Sequence, residues 1–156
     1  SINIIMEIIL LENILNLGNI GDKVKVKPGY GRNFLLKTGK ALRFNKDNLS
    51  HVNKIKDSLN KKNLELKKTL KETANKVNNK TFLFNKESKE NGELYGSIKP
   101  KEISTAIFDK IKVEVKPSQI VLKENLNKIG DFKIDLKFHS EVSAKITIKI
   151  DKIQSS

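Results

Sequence analysis

Cationic and aromatic side chains are interspersed with glycines over residues 25–37. Lysine can neutralise phosphate charge, while an aromatic ring or a guanidinium group can stack on an unpaired base. Glycine allows backbone amides to approach a phosphate closely. The segment therefore predicts RNA binding, and the candidate residues are Lys25, Lys27, Gly29, Tyr30, Arg32, Asn33, Phe34 and Lys37.

Part of this candidate set has a structural alternative. Phe34 and its neighbour Leu35 are favoured as core residues over RNA contacts, because large apolar side chains are usually buried. Asn33 has the alternative role of joining a turn to the backbone through its side chain. The residues favoured as phosphate contacts are Lys25, Lys27, Arg32 and Lys37.

Catalytic and metal-binding chemistry has little support in the sequence. The chain contains no cysteine, which excludes thiol nucleophiles, disulfides and cysteine-based metal sites. Its two histidines, His51 and His139, lie far apart along the chain. Gly29 and Gly31 lack the third glycine of a dinucleotide fingerprint, and the residues around Gly39 do not form a Walker loop. The sequence predicts no catalytic residue, no metal site and no cofactor.

The net charge of +13, from 31 basic and 18 acidic residues among 156, indicates a polyanionic partner, with nucleic acid as the first candidate. Arg32 and Arg43 are the only arginines, so most contacts should be lysine charge on phosphate. AT-rich coding, which enriches Lys, Asn and Ile, is the alternative source of this charge. Basic residues outnumber acidic ones eight to four in residues 1–52, nine to three in 53–80 and fourteen to eleven in 81–156. The anionic partner is therefore expected at the N-terminal half.

A small sheet is expected to position the candidate residues. Residues 1–11 are mostly apolar but too short to span a bilayer, which takes about 20 apolar residues, and they favour a strand at residues 7–12. Residues 23–27 alternate lysine and valine. Val24 and Val26 should therefore face a core, while the lysines line the opposite face. A Pro-Gly turn is then expected to lead into the candidate residues.

A long helix is predicted after this sheet. Residues 40–91 contain neither glycine nor proline, which favours a helix over residues 47–80. Asn45 is placed as its N-cap, with Asp47 in the first turn. The apolar positions form only a narrow stripe, and a helix that is polar nearly all round commonly bridges two domains through solvent. The alternative is a loosely structured charged linker, because three asparagines near its end are weak helix formers.

The C-terminal part predicts a helix packed on a small sheet. Residues 132–138 and 142–150 alternate apolar and polar side chains, which predicts an antiparallel pair with one buried face. Pro100 suits the first turn of an amphipathic helix. The apolar face of that helix comprises Ile103, Ile107, Phe108 and Ile111. Shorter elements are predicted as strands at residues 81–84 and 94–98 and as a helix or turn at residues 123–128.

Spaced residues near both ends of the chain form two recognisable sets. The first consists of residues 6–12, Gly18, Gly21, Val26, Gly29, Tyr30, Asn33, Phe34, Leu35, Gly39, Ala41 and Asn45. The second consists of residues 94–98 and 138–142. These sets resemble the N-terminal signature and the second-domain motifs of the bacterial large-subunit ribosomal protein L-nine family. The resemblance extends from Met6 to about Ile150.

This resemblance implies a dumbbell of fold class α+β, in which a long exposed helix joins two small mixed α/β globules. The implied domains are an rRNA-binding domain at residues 1–46 with a three-stranded sheet, a connecting helix at residues 47–80, and a C-terminal α/β domain at residues 81–156. In this family the N-terminal domain binds 23S rRNA near the base of a mobile stalk, and the C-terminal domain projects outward.

The resemblance also implies which residues contact rRNA. The RNA-binding turn would consist of Gly29, Tyr30, Arg32, Asn33 and Phe34, flanked by Lys27 and Lys37. Two departures from the family pattern stand out. Asn19 and Ile20 occupy positions where many relatives place lysines, which weakens the expectation of phosphate contacts in that loop, and Phe138 stands where the family usually has leucine.

The implied function is that of a structural constituent of the large ribosomal subunit in the cytoplasm, with an organellar ribosome as an open alternative. Its partners would be 23S rRNA and the large subunit, and it would have no enzymatic activity, membrane partner or small-molecule substrate. The alternative hypothesis is a basic spacer or interaction protein whose C-terminal sheet docks a protein partner.

Overall fold

The computed structural model describes residues 4–154. Residues 1–3 and 155–156, which the predicted terminal domains include, lie outside the described residues. The chain divides into two compact units, Ser1–Lys68 and Thr69–Ser156. Each unit combines helix and strand around its own buried cluster, so the predicted α+β class is confirmed.

The first unit is built on a three-stranded antiparallel sheet. Its strands are β1 (Met6–Leu10), β2 (Lys23–Val26) and β3 (Ala41–Arg43), in the order β2-β1-β3. The register sets Ile8 of β1 opposite Val24 on one side and Arg43 on the other. Val26 is buried and Val24 packs against the same core, while Lys23 and Lys25 are exposed. The predicted facing of β2 is therefore confirmed.

A short helical segment, α1, joins β2 to β3. It is α-helical over Pro28–Tyr30 and π-helical over Gly31–Leu36, so the predicted Pro-Gly turn is wrong. Pro28 suits a first helical turn because its missing N–H would have no intrahelical partner there. Leu35 is fully buried in a cluster with Ile8 and Leu10. Segment α1 therefore covers the sheet face on which Ile8 and Leu10 lie.

Helix α2 spans Lys46–Val77, 32 residues. The Asn48 N–H donates to Asn45 Oδ1 at 2.7 Å, which confirms Asn45 as the predicted N-cap. Val52 is fully buried, but over residues 53–73 none of the described side chains is buried. The predicted long exposed helix is confirmed, and the alternative of a loosely structured linker is wrong. Within residues 4–154, no helix is both long enough and apolar enough to cross a membrane.

The second unit contains a four-stranded sheet and a two-stranded one. The larger comprises β4 (Thr81–Lys86), β6 (Ile120–Val121), β8 (Gly130–His139) and β9 (Val142–Lys152), and the smaller pairs β5 (Glu93–Ile98) with β7 (Leu126–Lys128). Strands β8 and β9 form the predicted antiparallel pair, and β9 buries every second residue from Val142 to Ile150. Strand β4 pairs parallel to β9.

The helix or turn predicted at residues 123–128 is wrong over its second half, because Leu126 is buried and pairs with Ile98.

Helix α3 spans Pro100–Ile111 and packs on this core through Ile103 and Ile107, both fully buried. Phe108 is 50% exposed, so its predicted burial is wrong. One residue along a helix turns the side chain by about 100°, which moves Phe108 out of the stripe that Ile103 and Ile107 share. Its ring lies instead beneath Lys112, whose Nζ is 5.3 Å from the ring centroid. The last turns of α2 contribute Ala74 and Val77 to the same core.

Candidate nucleic-acid interface

Segment α1 presents a pair of stacked aromatic rings to solvent. Tyr30 and Phe34 lie four residues apart, and their ring centroids are 5.4 Å apart with an interplanar angle of 22°. The side chains are 44% and 42% exposed. The preference for Phe34 as a core residue is therefore wrong, whereas the same preference holds for Leu35. The difference follows from helical geometry, because consecutive residues point in different directions from the axis.

Polar and cationic residues lie on the same segment as this aromatic pair and at its two ends. Lys27 is the N-cap of the α-helical turn and Lys37 is the C-cap of the π-helical one, so the two lysines bracket the segment. Arg32 and Asn33 lie between them and are exposed. Gly29 is also exposed, and a β-carbon built there would meet no side chain or backbone atom of another part of the chain within 4 Å. Seven of the eight candidate residues thus lie on or beside α1: Lys27, Gly29, Tyr30, Arg32, Asn33, Phe34 and Lys37.

Lys25 lies on the opposite face of the sheet. A β-carbon built on Gly31 would come within 3.1 Å of Val26 Cγ2, so α1 packs on the face to which Val26 points. Lys25 precedes Val26 in the strand and therefore points to the other face. There it lies opposite Glu7 in the register of β1 and β2. The structure does not bring Lys25 together with the other candidates.

The second face of the sheet carries an ion pair. Lys23 Nζ lies 2.7 Å from Glu7 Oε2 and 4.1 Å from the centroid of the Phe44 ring. The hydrogen bond from Lys23 lowers the pKa of the Glu7 carboxyl below its ordinary value, and the positive charges of Lys23 and Lys25 lower it further. Lys23 is therefore already paired with the Glu7 carboxylate and the Phe44 ring of the same unit.

Both arginines of the chain line one open depression beside α1. The depression has a volume of about 570 Å³, and Arg32, Arg43, Pro28 and Phe44 are among the residues that line it. Arg43 was not among the candidates predicted from the sequence. Its residue type was an available signal, since only two arginines stand among 31 basic residues.

The histidines occupy unrelated places. His51 is exposed on α2. His139 ends β8, and its Nδ1 accepts a hydrogen bond from the Glu141 N–H at 3.1 Å, which ties the turn between β8 and β9. Across residues 4–154, no three His, Cys, Asp or Glu side chains are grouped so that they could hold a metal ion.

Two family models match successive parts of the chain. The model described as "Ribosomal protein L9, N-terminal domain" matches residues 6–52, and the one described as "Ribosomal protein L9, C-terminal domain" matches residues 68–152. The first match contains the sheet, α1 and the start of α2. The second contains the end of α2 and the whole of the second core.

Individual proteins are similar over nearly the whole chain. A protein of Pelagibacter ubique (strain HTCC1062), named "Large ribosomal subunit protein bL9", is 45% identical over 145 residues, which cover 93% of this chain and 95% of that protein. Proteins of the same name from Rhodospirillum centenum (strain ATCC 51521 / SW) and Coxiella burnetii (strain Dugway 5J108-111) are each 37% identical over 93% of this chain, and the alignments cover 77% and 95% of those proteins. Since both family models match in order and these relatives align across both units, the chain belongs to the ribosomal protein L9 family.

Proposed function

We propose that this protein is a structural constituent of the large ribosomal subunit that binds 23S rRNA through its N-terminal unit. Its similar relatives are named as large ribosomal subunit proteins. Membership of this family agrees with the prediction that the chain is a structural ribosomal protein and not an enzyme.

The exposed stack of Tyr30 and Phe34 is the observation that carries this proposal. Two aromatic rings in solvent forgo the stabilisation that burial would give, at about 25 cal/mol for each Å² of apolar surface. An aromatic platform recovers this loss when an unpaired base stacks on it, which is worth about 1–3 kcal/mol per base. Lys27 and Lys37 bracket α1 and Arg32 lies on it, so these charges can hold phosphates of an RNA that reaches the rings.

The proposed RNA-binding residues fall into two groups. The first comprises the residues on and beside α1: Lys27, Gly29, Tyr30, Arg32, Asn33, Phe34 and Lys37. The second is Lys25, which points away from α1 and has a phosphate to contact only where RNA also follows the other sheet face. Within this proposal, residues 1–46 form the RNA-binding domain, residues 47–80 the connecting helix and residues 81–156 the C-terminal domain.

Binding of in vitro transcribed 23S rRNA to the full chain tests the proposal, with 16S rRNA as the competing RNA. We expect preference for 23S rRNA and a loss of about 1–3 kcal/mol of binding free energy on Phe34→Ala. A matched control is Phe108→Ala, which removes an aromatic ring of similar exposure from the second unit. Affinity that does not distinguish the two rRNAs would refute the proposed partner, and equal losses in both variants would refute the role of α1.

The alternative of a sheet that docks a protein gains no specific support. The solvent face of the β8–β9 pair sets Asp131 opposite Lys149 and Asp135 opposite Lys145. Opposite charges across strands stabilise the sheet to which they belong. A strongly apolar surface would be expected of a docking face, and this part of the face carries paired charges instead.

A further inference from the structure

We propose that Arg43 and Arg32 form a phosphate-binding subsite for RNA, which extends the RNA-binding surface from α1 to the edge of the sheet. The inference rests on the proposed function and adds to it a residue, Arg43, that neither the sequence motifs nor the family resemblance marked. The ligand is a backbone phosphate of the bound RNA.

Arg32 and Arg43 belong to the same side of the first unit. Arg43 lies opposite Ile8 in the antiparallel pair of β3 and β1, and residues paired in this way point to the same sheet face. That face is the one that α1 covers, because Ile8 and Leu35 belong to one buried cluster. Arg32 lies on α1 itself. Both arginines line one depression on this side.

The charges around the depression favour an anion. Glu7 also lines the depression, but its carboxylate is held by Lys23 at 2.7 Å. Within residues 4–154, neither Arg32 nor Arg43 forms an ion pair, and both are exposed. Two like charges beside one depression repel each other, and an anion between them removes that repulsion. The arrangement therefore favours a bound anion over an empty site.

The residue type of the two cations favours phosphate as that anion. Arginine presents a planar fork of N–H donors that matches two oxygens of one phosphate, whereas lysine offers a single charged point. The chain is rich in lysine, yet its two arginines line the same depression, which is about 570 Å³ in volume and open to solvent. Such a site has room for the phosphate of an extended nucleic-acid backbone.

The experiment compares the full-length protein with Arg43→Gln, Arg32→Gln and the double variant in binding of 23S rRNA over a range of salt concentrations. We expect each single variant to bind about tenfold more weakly at low salt, since a charge-assisted hydrogen bond is lost. The slope of log affinity against log salt should fall by about one. If both arginines hold one phosphate, the double variant should lose less than the product of the two single losses.

Lys101→Gln is the matched control, because it removes one exposed positive charge from α3 in the second unit. It should leave both affinity and slope unchanged. The inference is overturned if Arg43→Gln binds like the unaltered protein, or if Lys101→Gln loses as much as Arg43→Gln does. Absence of 23S rRNA binding by the unaltered protein would instead refute the proposed function, and the subsite with it. Unchanged thermal unfolding of each variant verifies that the fold is retained.

Discussion

Gly31 lies so close to Met6 that a β-carbon on Gly31 would stand 2.6 Å from Met6 Sδ. Gly31 is buried and has ordinary right-handed helical angles, with φ −60° and ψ −52°. The contact therefore sets how closely α1 can approach β1. Since Tyr30 and Arg32 flank Gly31 in the chain, the same contact positions the side chains proposed to bind RNA.

Gly31→Ala should be tolerated, with a change of less than about 1 kcal/mol in the free energy of unfolding. The backbone angles suit alanine, which gains stability in a helix relative to glycine by about 1 kcal/mol. The nearest atom, Met6 Sδ, belongs to a flexible side chain that can adopt another rotamer, and Val26 Cγ2 at 3.1 Å has to give way by only a few tenths of an ångström. Gly31→Leu should instead cost about 1–3 kcal/mol, because its extra atoms overpack the contact with Met6 and Val26. Urea unfolding of both variants measures the difference, and a strong loss in Gly31→Ala would mean that Met6 cannot move.

Acid should weaken the first unit through Glu7. Its folded-state pKa is lowered, first by the hydrogen bond from Lys23. A lowered pKa contributes stability that is present above the ordinary value of 4.5 and is lost as the pH falls through the folded-state pKa. The unfolding free energies of the unaltered protein and of Glu7→Gln should therefore differ near neutral pH and converge in acid. Both partners are partly exposed, so the difference should be small and should shrink with added salt.

Lys25 provides a second check on the same carboxyl. Its charge contributes to lowering the pKa of Glu7 without a direct hydrogen bond. Lys25→Gln should therefore raise the pKa of Glu7 toward its ordinary value, as measured by NMR titration of the side-chain carboxyl. Lys27→Gln is the comparison, because Lys27 is not among the residues that lower this pKa. Identical titration curves in all three proteins would contradict the assigned cause.

Local patterns in the sequence predicted the elements whose stabilising contacts are local. Alternation identified β8 and β9, because one buried face requires a period of two. Asn45 and Asp47 marked the start of α2, because capping depends on residues within one turn. The parallel pairing of β4 with β9 was not predicted, since it sets Phe82 opposite Ile148 and no local pattern specifies so distant a partner.

The candidate site was predicted in composition more accurately than in geometry. A Pro-Gly pair is typical of turns, yet Pro28 begins a helical segment here, because Leu35 must reach the core from it. Alternation correctly predicted that Lys25 and Val26 point to opposite faces of the sheet. Only the packing of α1 onto the Val26 face separates Lys25 from Arg32, and that packing depends on tertiary contacts.

The asparagines near the end of α2 were interpreted as weak helix formers, and the structure gives two of them a role in ending the helix. Asn79 has a positive φ of 63°, and its N–H donates to the Lys145 carbonyl at 2.7 Å. Asn78 Oδ1 accepts a hydrogen bond from the Lys145 N–H at 2.9 Å. These bonds join the end of α2 to β9 in the second unit. Sequence alone cannot distinguish such a terminator from a residue that merely disfavours the helix.

Asn79→Gly and Asn79→Ala should therefore differ in stability, although both keep the N–H that bonds to Lys145. Glycine adopts positive φ freely, whereas a β-carbon there costs about 1–2 kcal/mol. We expect the alanine variant to unfold with a free energy about 1 kcal/mol lower than that of the glycine variant, as measured by urea denaturation of the second unit. Equal stability in the two variants would show that the backbone angle at Asn79 is not what ends the helix.

The exposed stretch of α2 should accept an insertion that its ends do not. Two alanines inserted after Asn60 turn all following residues by about 200° about the helix axis and lengthen the helix by about 3 Å. No buried residue lies within residues 53–73, so the pattern that each core requires is preserved on both sides. Both units should keep their unfolding free energies, and 23S rRNA affinity should remain unchanged. The same two alanines inserted after Leu49 would rotate Val52, which is fully buried in the first unit, out of its buried position, and should destabilise that unit by about 2–4 kcal/mol. Loss of RNA affinity after the Asn60 insertion alone would show that the RNA-binding surface includes residues beyond the first unit.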